Sequence, residues 1–356
     1  MPTSTVPAPA VEGVCTHTSG WQMQGAGPSC TFVGRRPSFW QQENPSDGLG
    51  VLVAGCARGI ADVLSQASIP TVNKLCHQLG GSSAVYVFDD DPLDTRQRNV
   101  LQRWAASSSH VRLFLANEPT GSERIQRLAM CRNTLVHEAR NFLSERGVLL
   151  MLDLDCRFPG LTHVEWNSWL RLLHGVNATF GVLVSNNPGA YRDMWALRST
   201  RLGMAYDCFW DPVQIKANGH CKAYRVHVHP SLLPFDIEAG FDGAAVYSAR
   251  ALRRASGCQY VNESDGHVVS EHVPFQQCLR RRGVRIGLAP WFMSSCSGWK
   301  TKETAKRIFL LPNGTYKLAG YTNAQEKAFR LTASRELGSK SWAPWGTNPS
   351  KVRGWY

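Results

Sequence analysis

The spacing of hydrophobic positions changes several times along the chain, and each change marks an element. Val51-Leu52-Val53-Ala54 is a continuous apolar run closed by Gly55, the pattern of a short buried strand. A helical stretch follows, with Leu75, Cys76 and Leu79 on one face and Gly80-Gly81 as its stop. Val85-Tyr86-Val87-Phe88 predicts a second strand, running into Asp89-Asp90-Asp91-Pro92, and Val111 to Leu115 predicts a third. From Glu123 to Ser144 the apolar residues Ile125, Leu128, Leu135, Val136, Ala139 and Leu143 recur at helical spacing. Gly147 precedes a fourth strand, Val148 to Asp153, followed by a helix near Val164 to Leu173 and a strand from Phe180 to Val184. Strands alternating with helices predict an α/β domain with a mostly parallel central sheet, in which ligands collect at the carboxyl ends of the strands.

Outside this region the pattern weakens. Residues 1–48 are rich in Pro, Gly, Ser and Thr without a period, which predicts a flexible leader. Residues 49–297 form the α/β domain, and 298–356 a basic C-terminal appendage. Within the appendage, Leu310 to Tyr316 reads as a hairpin around an Asn313-Gly314 turn. No internal repeat is present.

Composition is that of an ordinary globular protein, with 43% hydrophobic and 19% charged residues. The formal charge of +12 is uneven: Gly298 to Tyr356 holds eleven Lys/Arg and three Asp/Glu. A basic surface attracts nucleic acid, acidic glycans or a phosphorylated ligand. No nucleic-acid motif accompanies the charge, so no nucleic acid partner is expected. The eleven cysteines are scattered singly without a C-x-x-C pair, which argues against a cysteine zinc site. Cys56, Cys131 and Cys208 sit in apolar runs and read as small buried hydrophobes. A reducing compartment fits better than a disulfide framework, with one or two bridges left open. No apolar stretch is long enough for a transmembrane segment, and the N-terminus lacks the pattern of a signal peptide. The expectation is a soluble cytoplasmic protein; the leader and basic tail also suit docking at the periphery of a membrane or on a partner.

The sharpest chemical feature is Asp153 and Asp155, at the end of Leu149-Leu150-Met151-Leu152. A spacing of two on a strand points both carboxylates the same way. Converging carboxylates repel unless a cation binds, and a hard divalent ion with oxygen ligands suits them. Mn²⁺ or Mg²⁺ held there would bridge to a diphosphate and neutralise charge on a leaving nucleotide. The competing reading is a solvated strand end with an aspartate capping the next loop.

Several segments, in order from Val51 to Phe292, resemble GT-A type glycosyltransferases. More narrowly, they resemble those of algal large DNA viruses and of the fungal capsule-associated mannosyltransferase family. The segments are Val53-Ala54-Gly55-Cys56-Ala57-Arg58; Val87 to Thr95 with its acidic loop; Arg127-Leu128-Ala129-Met130-Cys131-Arg132-Asn133; the D-x-D pair; Tyr191-Arg192-Asp193-Met194-Trp195-Ala196-Leu197-Arg198; and Ser270-Glu271-His272-Val273-Pro274-Phe275. The Tyr191 to Arg198 segment is the most specific. The chain departs from the family pattern at Arg192, at Ser270, and at Gly240-Phe241-Asp242-Gly243, where two adjacent glycines are expected.

The resemblance implies a GT-A-like three-layer α/β/α sandwich. It implies a metal-dependent enzyme moving a sugar from a UDP- or GDP-linked donor to a glycan, lipid or protein hydroxyl. Ala54, Asp89, Arg127, Arg132, Asn133, Asp153, Asp193 and Trp195 would meet the nucleotide sugar, Asp153, Asp155 and His272 the metal. Glu271, or Asp242, would be the catalytic base. Each has a plainer reading: a turn cap for Asp89, a solvated helix face for the arginines, a core ring for Trp195, a surface Glu beside a core histidine for Glu271 and His272. His227 and His229 are taken as structural, and Arg280-Arg281-Arg282 as a helix end. Two other classes remain open. One is a nucleotidyltransferase using the same metal-bound carboxylates, without a phosphate loop of the G-x-x-x-x-G-K-[ST] kind. The other is a non-catalytic basic binding module.

Overall fold

A computed structural model describes residues 30–33, 50–79, 83–116, 123–158, 163–174, 178–187, 189–202, 204, 224–261, 263–264, 267–296, 306–311, 315–319 and 322–323. The first strands are mostly apolar, with Ser83, Asp89, Arg112 and Asp153 the exceptions: β2 (Val51–Ala57), β3 (Ser83–Asp89), β4 (Val111–Ala116) and β5 (Val148–Asp153). Such runs, without polar alternation, suit strands covered on both faces. They pair in parallel in the order β4-β3-β2-β5. Further strands complete a nine-stranded sheet: β1 (Cys30–Val33), β7 (Val182–Asn186), β9 (Phe235–Asp236), β10 (Ala244–Ser248) and β13 (Ile286–Met293). The order across it is β1-β4-β3-β2-β5-β10-β7-β13-β9. β2, β3, β4, β5, β7 and β13 run one way; β1, β9 and β10 run against them. The sheet is therefore mixed but mostly parallel, as the alternation of elements predicts.

Side-chain alternation divides the core into two layers. Leu52, Ala54 and Tyr86 point to one face, against helices α4 (Arg124–Phe142), α6 (Ala249–Arg254) and α7 (His272–Arg281). Val51, Val53 and Val85 point to the other, against α2 (Ile69–Leu79), α3 (Thr95–Ser107) and α5 (His163–His174). The result is an α/β/α sandwich. Helix α1 (Ala61–Val63) enters α2 through a π-helical turn, Leu64–Ser68, which brings the Ser68 hydroxyl onto the Leu154 carbonyl beside the carboxylate pair.

Three findings differ from the sequence reading, and one, the third below, extends it. Residues 30–33, inside the stretch read as a leader, form edge strand β1 against β4. Helix α3 was not expected; its interior is polar, and only Leu101 and Trp104 among its apolar residues are buried. The hairpin expected past residue 298 is present as β15 (Lys306–Leu310) and β16 (Tyr316–Ala319), and it joins β8 (Tyr224–Val228) in a three-stranded sheet.

The fourth concerns the cysteines. Cys56 and Cys131 are not free buried thiols but a disulfide, and Cys156–Cys296 and Cys258–Cys278 are two more. The partners are 75, 140 and 20 residues apart, so no local spacing announces them. Among the described residues Cys76 is the free cysteine; burial pushes its thiol up to about 11. Cys208 lies outside the described residues. No described helix is long and apolar enough to cross a membrane.

Candidate active site

The carboxyl end of β5 places Asp153 beside Cys56 of β2, and a tight turn carries Leu154 and Asp155 onward to β6 (Cys156–Arg157). Gly55 makes this approach possible: a Cβ there would lie 2.6 Å from Leu154 Cγ and 2.9 Å from the Leu152 carbonyl. The chain has left the strand by Asp155, yet a carboxylate oxygen of each aspartate and Cys156 Sγ lie within 4.8 Å of one another. Cys156 is bonded to Cys296, so its sulfur is no thiolate ligand. The donors left are two carboxylates, a hard oxygen set with room for further oxygen ligands. That set fits Mg²⁺ or Mn²⁺.

The electrostatics point the same way. Burial raises Asp153 to about 6, Arg132 opposes the rise, and Asp155 and Asp193 add to it. Crowded carboxylates of this kind are relieved by a cation. Arg132, on α4, is 4% exposed and donates from Nη2 to Asp153 Oδ1 at 2.8 Å. Its Nη1 pairs with Glu271 Oε1, and its guanidinium lies 4.8 Å from the centre of the Phe241 ring. Glu271 is 4% exposed and precedes α7. One buried cation thus joins Asp153 to Glu271.

His272 stacks on Phe241 with ring centres 3.8 Å apart and meets Tyr260 edge-on. Its Nε2 is 3.6 Å from Glu271 Oε1, and neither ring nitrogen has a hydrogen-bond partner. Burial, with Arg132 nearby, holds its pKa well below the usual range. The ring is neutral and embedded behind Glu271, and it is not among the groups that converge with Asp153 and Asp155.

The segment after β7 is organised by one turn. Asp242 has φ of 49°, a left-handed value that asparagine and glycine adopt more readily, and Gly243 follows with φ of 91°. Asp242 Oδ1 accepts the backbone N–H of Arg192 at 2.9 Å and of Asp193 at 3.1 Å. Its carbonyl accepts from the Ser185 and Ser294 hydroxyls, and the Gly243 carbonyl accepts the Asp153 N–H at 2.8 Å. The turn therefore fastens the Arg192-Asp193 backbone to the end of β5. Asp242 itself is fully buried, its Oδ2 unpartnered, and burial pushes it up to about 8. Asp193 is half-buried; burial raises its pKa too, against the pull of Arg132, Arg192 and Arg124 and of the Ala196 N–H.

Other expected contacts fall elsewhere. Ala54 is interior to β2, paired with Tyr86 and Met151, and 1% exposed; it is core, because the strand runs three residues further before opening. Asp89 is fully buried and accepts from Gln97 and Arg98, so its oxygens serve helix α3. Its neighbour Asp90 instead faces Arg58 and Arg127, at 3.7 and 3.6 Å. Asn133 clamps the backbone of Tyr260 through both ends of its amide, at 2.7 Å each, which fixes its orientation. Trp195 is half-buried against the core layer under α4. Residues that sequence reasoning missed are Asp90, Arg58 and Arg192. Arg192 was visible only as a departure from the family pattern, and the triple aspartate gave no sign of which member faces both Arg58 and Arg127.

Distant likeness to solved structures exists. A mannosyltransferase from Pyrobaculum calidifontis, in complex with GDP-Man and Mn²⁺, is 13% identical with a TM-score of 0.38; the match covers 71% of this chain and 61% of that one. TarS from S. aureus is 11% identical with a TM-score of 0.40, over 86% and 69% of the two chains. GalNAc-T7, with UDP, GalNAc and Mn²⁺, is 13% identical with a TM-score of 0.40, over 71% and 45%. No family model and no curated protein matches. Likeness this remote carries no argument about the chemistry, which rests on the site itself.

Proposed function

We propose that the chain is a divalent-cation-dependent glycosyltransferase that moves a sugar from a nucleoside diphosphate to a hydroxyl of a glycan, lipid or protein. The observation that carries this reading is the pair Asp153 and Asp155, converging at the carboxyl end of a central strand with a buried arginine on one of them. Asp153 and Asp155 would hold Mn²⁺ or Mg²⁺, and the ion would neutralise charge on the departing diphosphate. Arg132 fixes the rotamer of Asp153 and is braced by Glu271, which makes Glu271 a positioning residue rather than a free base. Arg192, anchored through its backbone, is the arginine placed to meet phosphate oxygens. Asp193 is the carboxylate assigned to the acceptor hydroxyl: it is half-exposed, and burial raises its pKa above the ordinary carboxylate range, which makes it a stronger proton acceptor. Asp242 holds the Arg192-Asp193 backbone in place.

The test is turnover of UDP- and GDP-sugars with Mn²⁺, with release of nucleoside diphosphate as readout. Asp153→Asn and Asp155→Asn should each lower metal-dependent turnover by about a hundredfold or more. Asp193→Asn should lower kcat with little change in donor KM. Wild-type turnover in either of the first two variants, or release of pyrophosphate instead, overturns the reading.

A further inference from the structure

The opposite end of the sheet carries a different chemistry. There β5, β7 and β13 begin and β10 ends. Their turns are tied together: Ala249 N–H to Gly147 O at 2.8 Å, Ser248 N–H to Gly181 O at 2.9 Å, Gly181 N–H to Arg285 O at 2.9 Å. Around these turns stand Arg146, Arg250, Arg254, Arg281 and Arg282, all exposed. Arg146 and Arg250 both depress the pKa of His174, after its burial, which marks them as neighbours. The Arg254 guanidinium lies against the next turn, since a Cβ on Gly283 would be 3.0 Å from its Nη2.

No carboxylate pairs with any of the five among the described residues. The two acids at this end are engaged elsewhere: Asp236 pairs with Arg285, and Glu145 lies 3.9 Å from Arg253. Helix dipoles explain only part of the cluster. Arg254 and Arg281 end helices, where cations are favoured, but Arg250 is in the first turn of α6, where they are not, and Arg146 is in a turn. Like charges gathered on one face cost self-repulsion unless an anionic partner relieves it.

We propose that this face docks the protein on a bilayer of anionic lipid headgroups. Three strand-to-strand steps separate β5 from β13, so the face is about 14–15 Å wide. Arginine forks match headgroup phosphate oxygens. The exposed large hydrophobics of the described residues, Val63, Leu93, Leu233, Val261 and Val268, all lie in other segments. The contact is therefore electrostatic and without insertion. Among the described residues, the exposed part of this face also carries none of the stacking aromatics with which proteins hold single-stranded nucleic acid. Docked this way, the carboxylate pair at the end of β5, a strand six residues long, lies about 20 Å from the arginine turns. The acceptor would be reached from the aqueous side.

The full chain, the triple variant Arg250→Glu, Arg254→Glu, Arg282→Glu, and the matching triple Gln variant are floated with phosphatidylcholine vesicles, with and without about one third phosphatidylserine. The wild type is expected on the anionic vesicles only, with binding lost between about 0.05 M and about 0.5 M salt. The Glu variant should partition about a hundredfold more weakly or worse, and the Gln variant should fall between. Both variants should melt near the wild-type temperature. Four results overturn the proposal: no binding of the wild type to anionic vesicles, equal binding to neutral ones, folded variants that bind like the wild type, or displacement by duplex DNA at equal phosphate concentration. None of these depends on the sugar-transfer reading.

Discussion

Asp242 combines a strained backbone with a carboxylate that serves two backbone N–H groups. These requirements can be separated by substitution. Asn supplies the same acceptor and tolerates the left-handed φ; Gly keeps the φ and loses the acceptor; Ala satisfies neither. Donor KM and turnover should stay close to wild type in Asp242→Asn and be impaired in Asp242→Gly and Asp242→Ala. A dead but donor-binding Asn variant would mark Asp242 as the base instead. The raised pKa adds a pH dependence. Between the ordinary carboxylate range and about 8 the unfolded state ionises while the folded state keeps its proton. The unfolded state then binds fewer protons, so this group's stability contribution is full at acid pH and falls as pH rises to about 8. The slope is at most about 1.4 kcal/mol per pH unit. Melting temperatures of wild type and Asp242→Asn, compared from acid pH to about 8, should show the wild type losing ground. Parallel curves would mean that Asp242 does not titrate in this range.

Legibility at this scale followed side-chain type more than contact. Asp153 and Asp155 were visible because an aspartate pair after four apolar residues is conspicuous. The role of Asp89 was not, because its partners Gln97 and Arg98 lie on a helix the apolar pattern does not announce. A cue was present: Asp94 accepts the Gln97 N–H at 2.9 Å, an N-cap of the Asp-x-x-Gln kind.

Among the elements, strands β2 to β5 and helix α4 were read directly, since buried parallel strands and a long amphipathic helix leave strong periodic signals. The insertion of β10 between β5 and β7 was not, because pairing order depends on contacts between distant segments. The disulfides belong to the same class. Each has a member close to a site residue: Cys131 precedes Arg132, Cys156 follows Asp155, and Cys258 is two residues before Tyr260. The Cys156–Cys296 bridge packs over the Asp242-Gly243 turn, where a Cβ on Gly243 would meet both sulfurs. Replacing Cys156 and Cys296 by Ser should lower stability by about 2–5 kcal/mol, because the bridge closes a loop of 140 residues. The melting curve should move down to that of wild type treated with a reductant selective for this bridge. Mn²⁺ affinity should fall with it, since the bridge begins one residue past Asp155. Unchanged Mn²⁺ affinity in the folded double variant would confine the bridge to a stabilising role.

For the molecule as a whole, ligand linkage gives a global readout. A cation and a nucleotide sugar that bind only the folded chain should raise its melting temperature together, by about 2.7 kcal/mol of stability at one hundred times the dissociation constant. Differential scanning fluorimetry with Mn²⁺ and UDP- or GDP-sugars measures this. The shift should vanish in Asp153→Asn; a shift that survives there would place the ligand elsewhere. Removing Arg132 would act on the fold as well. Arg132→Ala strands Glu271 and Asp153 without their cation and should cost about 3–5 kcal/mol.

The antiparallel β10 has a mechanical consequence. It is hydrogen-bonded along its length to β5 on one side and to β7 on the other, and it enters the sheet through the turn that holds Asp242. It works as a splint: β5 cannot slide past β7 without shearing both ladders at once. The floor under Asp153 and Asp155 and the strand leading to Arg192-Asp193 move as one plate, so any opening that admits a substrate must come from the loops above it.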